Sequence, residues 1–406
     1  MCLSRVSERL SRRLADAVSQ QIKKLPYCTN FWGITNETTV KAGQALNKIT
    51  PEELDVFWFT PGGAESIETA LIMCRWYWKN QGTQKYKIIT LGNSYHGLYF
   101  GSGSATNVGN GHFTNAMSPM LPGFVTAPDY YCYRCPIGHT YPDCGIECAK
   151  QIEKIIHKED GDTVAALLLE VEHGTAGCIP SPPEYLPMVR EICDRHDVLL
   201  IIDEVMSGFG RCSENGEAFA CQTVGVKPDI LAMAKGVTSG YVPLGAVGIT
   251  REIADGLEGS MIGGATYSGH PVPCAAAVKT MEIYERDNIF EHAAKVGKYA
   301  KKRLNEQFVV DFPLVDHVSG FGSFLGIEVV KDKATKEPYP PKSLKMLRLQ
   351  ERALDKGIYV RICDQNWAPG NRIMFCPPLV STEKDIDRML DRLYDAFAGE
   401  LKAEMG

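Results

Sequence analysis

Two stretches, Val164–Leu169 and residues 198–202, are continuously apolar, strand-sized and bounded by polar residues. A strand with one wet face alternates apolar and polar side chains, whereas an unbroken apolar run belongs to a strand buried on both faces. Such strands require a sheet with helices on either side. A helical pattern over 185–196 lies between the two runs, as a crossover between parallel strands needs. The same grammar continues in both directions. Residues 56–59, Lys87–Leu91, 230–234 and 244–249 read as further strands, and 65–81 as a helix opened by Gly62-Gly63. The pattern predicts an α/β fold, doubly wound, with a mainly parallel sheet flanked by helices.

After Pro273 the texture changes. Helical stretches over 275–308, 344–356 and 384–397 mix with short strands at 315–318, Phe324–Val329, 358–361 and 373–375. This predicts a smaller C-terminal α+β domain over 275–406, behind a large domain over 26–274 and an N-terminal helix over 1–25. In that helix Leu3, Val6, Leu10, Leu14, Ala17 and Val18 share a face. Arg5, Arg9, Arg12 and Arg13 hint at a presequence, but Glu8 and Asp16 favour an ordinary amphipathic helix. Residues 105–145, rich in Gly, Pro, Asn and Cys, form one long irregular insertion, and such loops are often functional.

The 406 residues suffice for two or three domains at roughly 150 residues each. With 44% hydrophobic and 23% charged residues, the chain has an ordinary globular composition. The net charge is −6 with both signs interspersed, which argues against a nucleic-acid partner. No apolar run approaches the roughly 18 residues of a membrane span. Fourteen cysteines without a secretory signal read as reduced thiols in a cytoplasmic protein.

Four segments carry candidate chemistry. Lys235 ends the apolar run 230–234, and Asp203-Glu204 ends 198–202. Taken singly, a lysine there is a strand-end charge and an acid there a cap. Both, however, fall at carboxyl ends of parallel strands, the edge where open α/β sheets bind ligands. A lysine can form an imine with a carbonyl cofactor, and an aspartate can keep a ring nitrogen protonated. Thr60-Pro61-Gly62-Gly63-Ala64-Glu65 opens a helix whose free N–H groups suit a phosphate. Tyr95-His96-Gly97 follows another strand and offers a flat ring at the same edge.

In this order and spacing the segments resemble class III pyridoxal-phosphate-dependent aminotransferases of fold type I. The resemblance rests on Gly62 to Ala70, Tyr95-His96-Gly97, Glu170 with Gly174 and Gly177, and Ile202 to Val205 followed by Gly208-Phe209-Gly210-Arg211. It continues through Ala234-Lys235-Gly236, Thr266 to Pro271 and Cys376-Pro377-Pro378-Leu379, and so covers nearly the whole chain. It implies pyridoxal 5'-phosphate as cofactor, bonded to Lys235 through its aldehyde. It further implies Asp203 on the pyridinium nitrogen, Val205 and Tyr95 on opposite ring faces, and His96 beside the ring. Gly63 and Ala64 would hold the phosphate, and Glu170 would lie near Asp203. Thr266 would reach the phosphate of a neighbouring subunit, which implies a homodimer with shared active sites. The reaction implied is ping-pong transfer of an amino group from an amine donor to a keto acid.

Arg361, in Tyr359-Val360-Arg361-Ile362, matches the mobile arginine of the ω-amine and taurine–pyruvate branch, where it binds the acceptor's carboxylate. The Cys-rich insertion resembles that branch too. Many other members have an arginine just before Pro-Pro-Leu, where this chain has Met374 and Phe375. An ω-aminotransferase using pyruvate is therefore expected, with a taurine-like donor among the candidates. Racemase, aminomutase or decarboxylase chemistry would share Lys235 and Asp203. The family usually carries a further N-terminal segment, so a truncated form with an incomplete substrate pocket, even a non-catalytic one, stays open. Cys132, Cys135, Cys144 and Cys148 have spacings that a zinc site could use. The expectation is packing thiols and no metal.

Overall fold

A computed structural model of the chain describes residues 8–405, except 32, 110–113, 261, 263 and 342. Nine strands form the first part of the molecule: β1 (Leu54–Thr60), β2 (Lys87–Leu91), β3 (Phe124–Ala127), β4 (Val164–Leu169), β5 (Glu172–His173), β6 (Ile179–Pro180), β7 (Leu199–Asp203), β8 (Ile230–Met233) and β9 (Gly245–Thr250). Seven of them make one sheet in the order β1-β9-β8-β7-β4-β2-β3. The pairs from β8 to β3 are all parallel, while β9 is antiparallel to both its neighbours. Six strands therefore run one way, and their carboxyl ends share one edge. The pair β5-β6 stands apart as a small ribbon.

The apolar runs are buried on both faces, as their composition predicts. Along β4, Leu167 and Leu169 face one core and Ala166 and Leu168 the other. Along β7, Leu200 and Ile202 face the first core and Ile201 the second. The helix Gly63–Asn80 covers the second face with Ile67, Leu71, Cys74 and Trp78. The helices Glu147–Lys158 and Tyr185–Arg195 cover the first with Ile152, Ile156, Val189 and Ile192.

A second, antiparallel sheet follows, ordered β10-β11-β13-β12, from β10 (Val315–Phe321), β11 (Phe324–Val329), β12 (Arg361–Cys363) and β13 (Arg372–Phe375). It has its own core, in which Leu325, Ile327, Ile373 and Phe375 meet Phe308, Leu349, Leu390 and Phe397. The helix expected from residue 275 begins earlier, as Pro271–Arg286. His270 accepts the Val272 N–H at its start, and Pro271 occupies a first-turn position that needs no N–H donor.

Three expectations need correcting. Residues 105–145 are not wholly irregular, because Phe124–Ala127 pairs with β2 as the sheet's edge strand. The strand expected over 358–361 starts only at Arg361. The N-terminal helix is Glu8–Lys24; Leu3, Arg5 and Val6 lie outside the described residues. Leu14 is buried against Ala276 and Ile283 as an amphipathic face requires. Among the described residues no helix is long and apolar enough to cross a membrane.

Candidate active site

The carboxyl ends of β2, β4, β7 and β8 and the start of the Gly63–Asn80 helix enclose a cavity of about 190 Å³. It is lined by Gly63, Ala64, Tyr95, His96, Gly97, Leu98, Glu170, Asp203, Val205, Met206 and Lys235. Eight of the ten residues singled out from sequence thus meet around one space. Thr266 and Arg361 do not line it.

Lys235 stands two residues beyond β8, with φ at 43°. An L-residue with a side chain pays roughly 1–2 kcal/mol to hold this left-handed conformation. The surrounding turn fixes it, as the Lys235 carbonyl accepts the Gly240 N–H at 3.1 Å and the Ala234 carbonyl accepts the Val237 N–H at 3.2 Å.

Asp203 closes β7 and is buried. Its Oδ1 accepts the Val205 N–H at 2.9 Å, and its Oδ2 lies 2.8 Å from His96 Nδ1. Facing a carboxylate at that distance, Nδ1 carries the ring proton and donates it. His96 Nε2 is buried with no hydrogen-bond partner. The His96 backbone N–H donates to Thr106 Oγ1 at 2.9 Å, which ties the loop to the end of the Phe100–Ala105 helix. Glu204, next in sequence, takes no part. Its carboxylate accepts the Cys221 N–H at 2.7 Å and a bond from Ser207, and burial raises it to about 7.

Glu170 follows β4. It accepts N–H bonds from Tyr95 and Gly174, each at 3.1 Å, and approaches His173 Nδ1 at 3.2 Å. Burial pushes its carboxyl upward, but His173, His96 and the Tyr95 N–H outweigh that and leave it below the ordinary range. His173 stacks on Tyr130 with ring centroids 4.4 Å apart. Glu170 therefore anchors the backbone of the loop that carries the Tyr95 ring.

The Gly63–Asn80 helix has no side-chain cap at its start, so its first N–H groups can serve an anion. A Cβ on Gly63 would stand 2.7 Å from Val205 Cγ1. Glycine is what lets the helix start and the Val205 segment close on the same space. Gly97, with φ at 121°, would likewise bring a Cβ to 2.8 Å from Ala64 Cβ.

Arg361 lies on β12 with its Cζ 4.4 Å from the Trp367 ring centroid. Its charge reaches the Tyr95 hydroxyl: burial raises that group's pKa, Arg361 opposes the rise, and Asp203 and Glu170 add to it. Thr266 is exposed, and its carbonyl accepts the Tyr27 hydroxyl at 3.1 Å. Cys132, Cys135, Cys144 and Cys148 line a separate space of about 20 Å³. Among the described residues the one group with three metal-capable side chains in close contact is Glu153, His157 and His196, elsewhere on the surface.

Sequence reasoning missed Met206 and Leu98 as lining residues and Thr106 and His173 as supports. The first two directly follow recognised motifs. The last two act through hydrogen bonds formed only once the chain folds. The site as a whole offers an amine to a carbonyl, a buried carboxylate to a cationic ring nitrogen, and N–H donors to a phosphate.

Comparison with known proteins identifies the family. The family model of class-III aminotransferases matches residues 10–397. An adenosylmethionine-8-amino-7-oxononanoate aminotransferase of Geobacter sulfurreducens is 32% identical over 390 residues, 94% of this chain and 83% of the relative. A putrescine–pyruvate aminotransferase of Pseudomonas aeruginosa is 35% identical over 382 residues, 93% and 80% of the two chains. Among solved structures, an amine transaminase from an uncultivated Pseudomonas species, in its pyridoxal-phosphate-bound form, superposes with a TM-score of 0.88. It is 34% identical, covering 95% of this chain and 86% of its own.

Proposed function

Because this chain belongs to the class-III aminotransferase family, whose members depend on pyridoxal phosphate, we propose that it moves an amino group from a primary amine or ω-amino acid to pyruvate in a ping-pong cycle. The observation that carries this reading is the convergence of Lys235, the Asp203–His96 pair and the uncapped helix start on one cavity.

The residues present fit the cofactor. His96 Nε2 is a buried polar atom in want of a partner, and the Gly63–Ala64 turn is a bare anion site. Pyridoxal phosphate, when bound, supplies an electron sink for the carbanion left when the substrate carbon loses its proton. Every other part of the chemistry falls to the chain.

The Gly63 and Ala64 N–H groups would hold the phosphate at the positive end of an 18-residue helix. Asp203 would keep a proton on the cofactor's ring nitrogen. His96, donating from Nδ1, fixes the carboxylate for that task and shields it from water. Val205 and the Tyr95 ring, which both line the cavity, would confine the cofactor there. Lys235, its amine released when substrate takes its place, would take the proton from the substrate carbon. Arg361 would receive the acceptor's carboxylate, and in a homodimer Thr266 would reach toward the phosphate held by the partner subunit.

Putrescine, the donor named for the Pseudomonas relative, has no carboxylate, whereas pyruvate has one. Arg361 is the arginine whose charge reaches the Tyr95 side of the cavity, and a single carboxylate-binding arginine suits that pairing better than a donor with its own strong anion. A taurine-like donor is the second reading, favoured only by the Cys-rich insertion. The test is a panel of donors, putrescine, β-alanine, taurine and benzylamine, each with pyruvate and with alanine as the readout. Alanine formation with a carboxylate-free amine is the expected result; release of carbon dioxide or a racemised product without alanine contradicts it.

A further inference from the structure

Arg361 is held in an unusual way. Among the described residues it forms no ion pair. It lies over the face of Trp367, with Cζ 4.4 Å from the ring centroid. The ring packs partly buried against the main core, and the backbone that carries it is held: the Trp367 main-chain N–H donates to the Asp364 carbonyl at 2.8 Å, and the Trp367 carbonyl accepts the Gly109 N–H at 2.6 Å.

The geometry has a chemical consequence. A carboxylate partner would occupy the N–H edge of the guanidinium and compete with any incoming carboxylate. An aromatic face attracts the cation from above and leaves that edge unused. We propose that Trp367 is a positioning residue for acceptor recognition: it stacks Arg361 beside the cofactor cavity with its donors available, so that a keto acid's carboxylate binds without first breaking an ion pair. A donor lacking a carboxylate leaves the stack undisturbed, so one site serves both halves of the cycle. This rests on the reading of Arg361 as the acceptor's anchor.

The test separates the two half-reactions of the holoenzyme in Trp367→Leu, Trp367→Phe and Arg361→Ala. Removing the ring in Trp367→Leu should raise KM for pyruvate about three- to thirtyfold, the span expected for a cation–π contact. Its kcat should stay within about twofold, the benzylamine half-reaction should change little, and Trp367→Phe should recover most of the loss. Trp367→Met, equally ringless, substitutes if the leucine variant does not fold. An unchanged pyruvate KM in the ringless variant while Arg361→Ala raises it overturns the proposal and spares the role of Arg361. No effect from Arg361→Ala removes both. Equal losses in both half-reactions, with phenylalanine no better than leucine, reduce Trp367 to a packing residue and also overturn the proposal.

Discussion

Asp203 and His96 share a hydrogen bond in a place that water barely reaches, at the wall of the cavity proposed to hold the cofactor. Asp203→Asn tests this at constant shape. The amide preserves the acceptor for the Val205 N–H but cannot hold a proton on a ring nitrogen. Breaking a buried charge pair costs about 3–5 kcal/mol, of which the ring recovers part by deprotonating. With each ~1.4 kcal/mol worth a factor of ten, the amine half-reaction should slow at least a hundredfold while the cofactor stays bound. Stopped-flow kinetics with a donor amine check this. A rate within threefold of wild type would mean that Asp203 only caps its turn.

The next scale concerns how elements meet. Glu172, on β5, is buried where the β5-β6 ribbon meets β10. Its Oε2 accepts the Phe321 N–H at 3.0 Å, and its Oε1 has no partner. Burial raises its carboxyl from 4.5 to about 8, with the Phe321 N–H and Lys301 opposing only in part. The folded state therefore holds this proton more tightly than the unfolded chain. Stability is full below about pH 4.5 and is lost as pH rises toward 8, by up to about 1.4 kcal/mol per unit. Glu172→Gln removes that dependence while keeping an acceptor for Phe321. Melting temperatures of the two proteins should nearly coincide at pH 5, diverge in favour of the variant up to pH 8, and run parallel above it. Curves that stay parallel from pH 5 to pH 8 would show that Glu172 is ionised in the fold.

Elements also differ in how legible they were. The strands β4 and β7 were plain because unbroken apolar runs have one physical meaning. The reversed direction of β9 was not, because an apolar run reads the same from either end. The edge strand β3 has a half-exposed Phe124-Val125-Thr126 pattern amid Gly and Pro, and only β2 beside it makes it a strand. At the site, the residues bonded in sequence to strand ends were visible. Thr106 and His173 were not, since no local pattern announces a hydrogen bond across the fold.

Across the whole molecule, a buried charge network ties the small sheet to two loops of the first part of the chain. Arg372 of β13 bonds Glu328 of β11 at 2.7 Å, Ser319 at 2.7 Å, and the carbonyls of Gly177 and Cys178 at 2.7 and 2.8 Å. Glu328 also accepts bonds from Tyr131 and Arg134 of the Cys-rich segment. One guanidinium thus ties the small sheet to the loop after Glu170 and, through Glu328, to the segment preceding Cys135. Arg372→Ala should cost about 3–5 kcal/mol in denaturant unfolding, because it strips buried acceptors of their donor. Arg251→Ala, which breaks an exposed pair with Asp55, should cost less than about 1 kcal/mol. A similar small loss in both would mean that the network is not what ties the small sheet to those loops.

The assignment of Lys235 as the residue that carries the cofactor underlies every role proposed for its neighbours. Borohydride reduction of the holoenzyme locks pyridoxal phosphate onto the lysine that bears it, and peptide mapping by mass spectrometry locates the adduct. The expected result is a single pyridoxyl label on Lys235, absent from Lys235→Ala, with loss of the visible absorption band and of alanine formation from donor and pyruvate. A label on Lys227 or any other lysine, or full activity in Lys235→Ala, would contradict it.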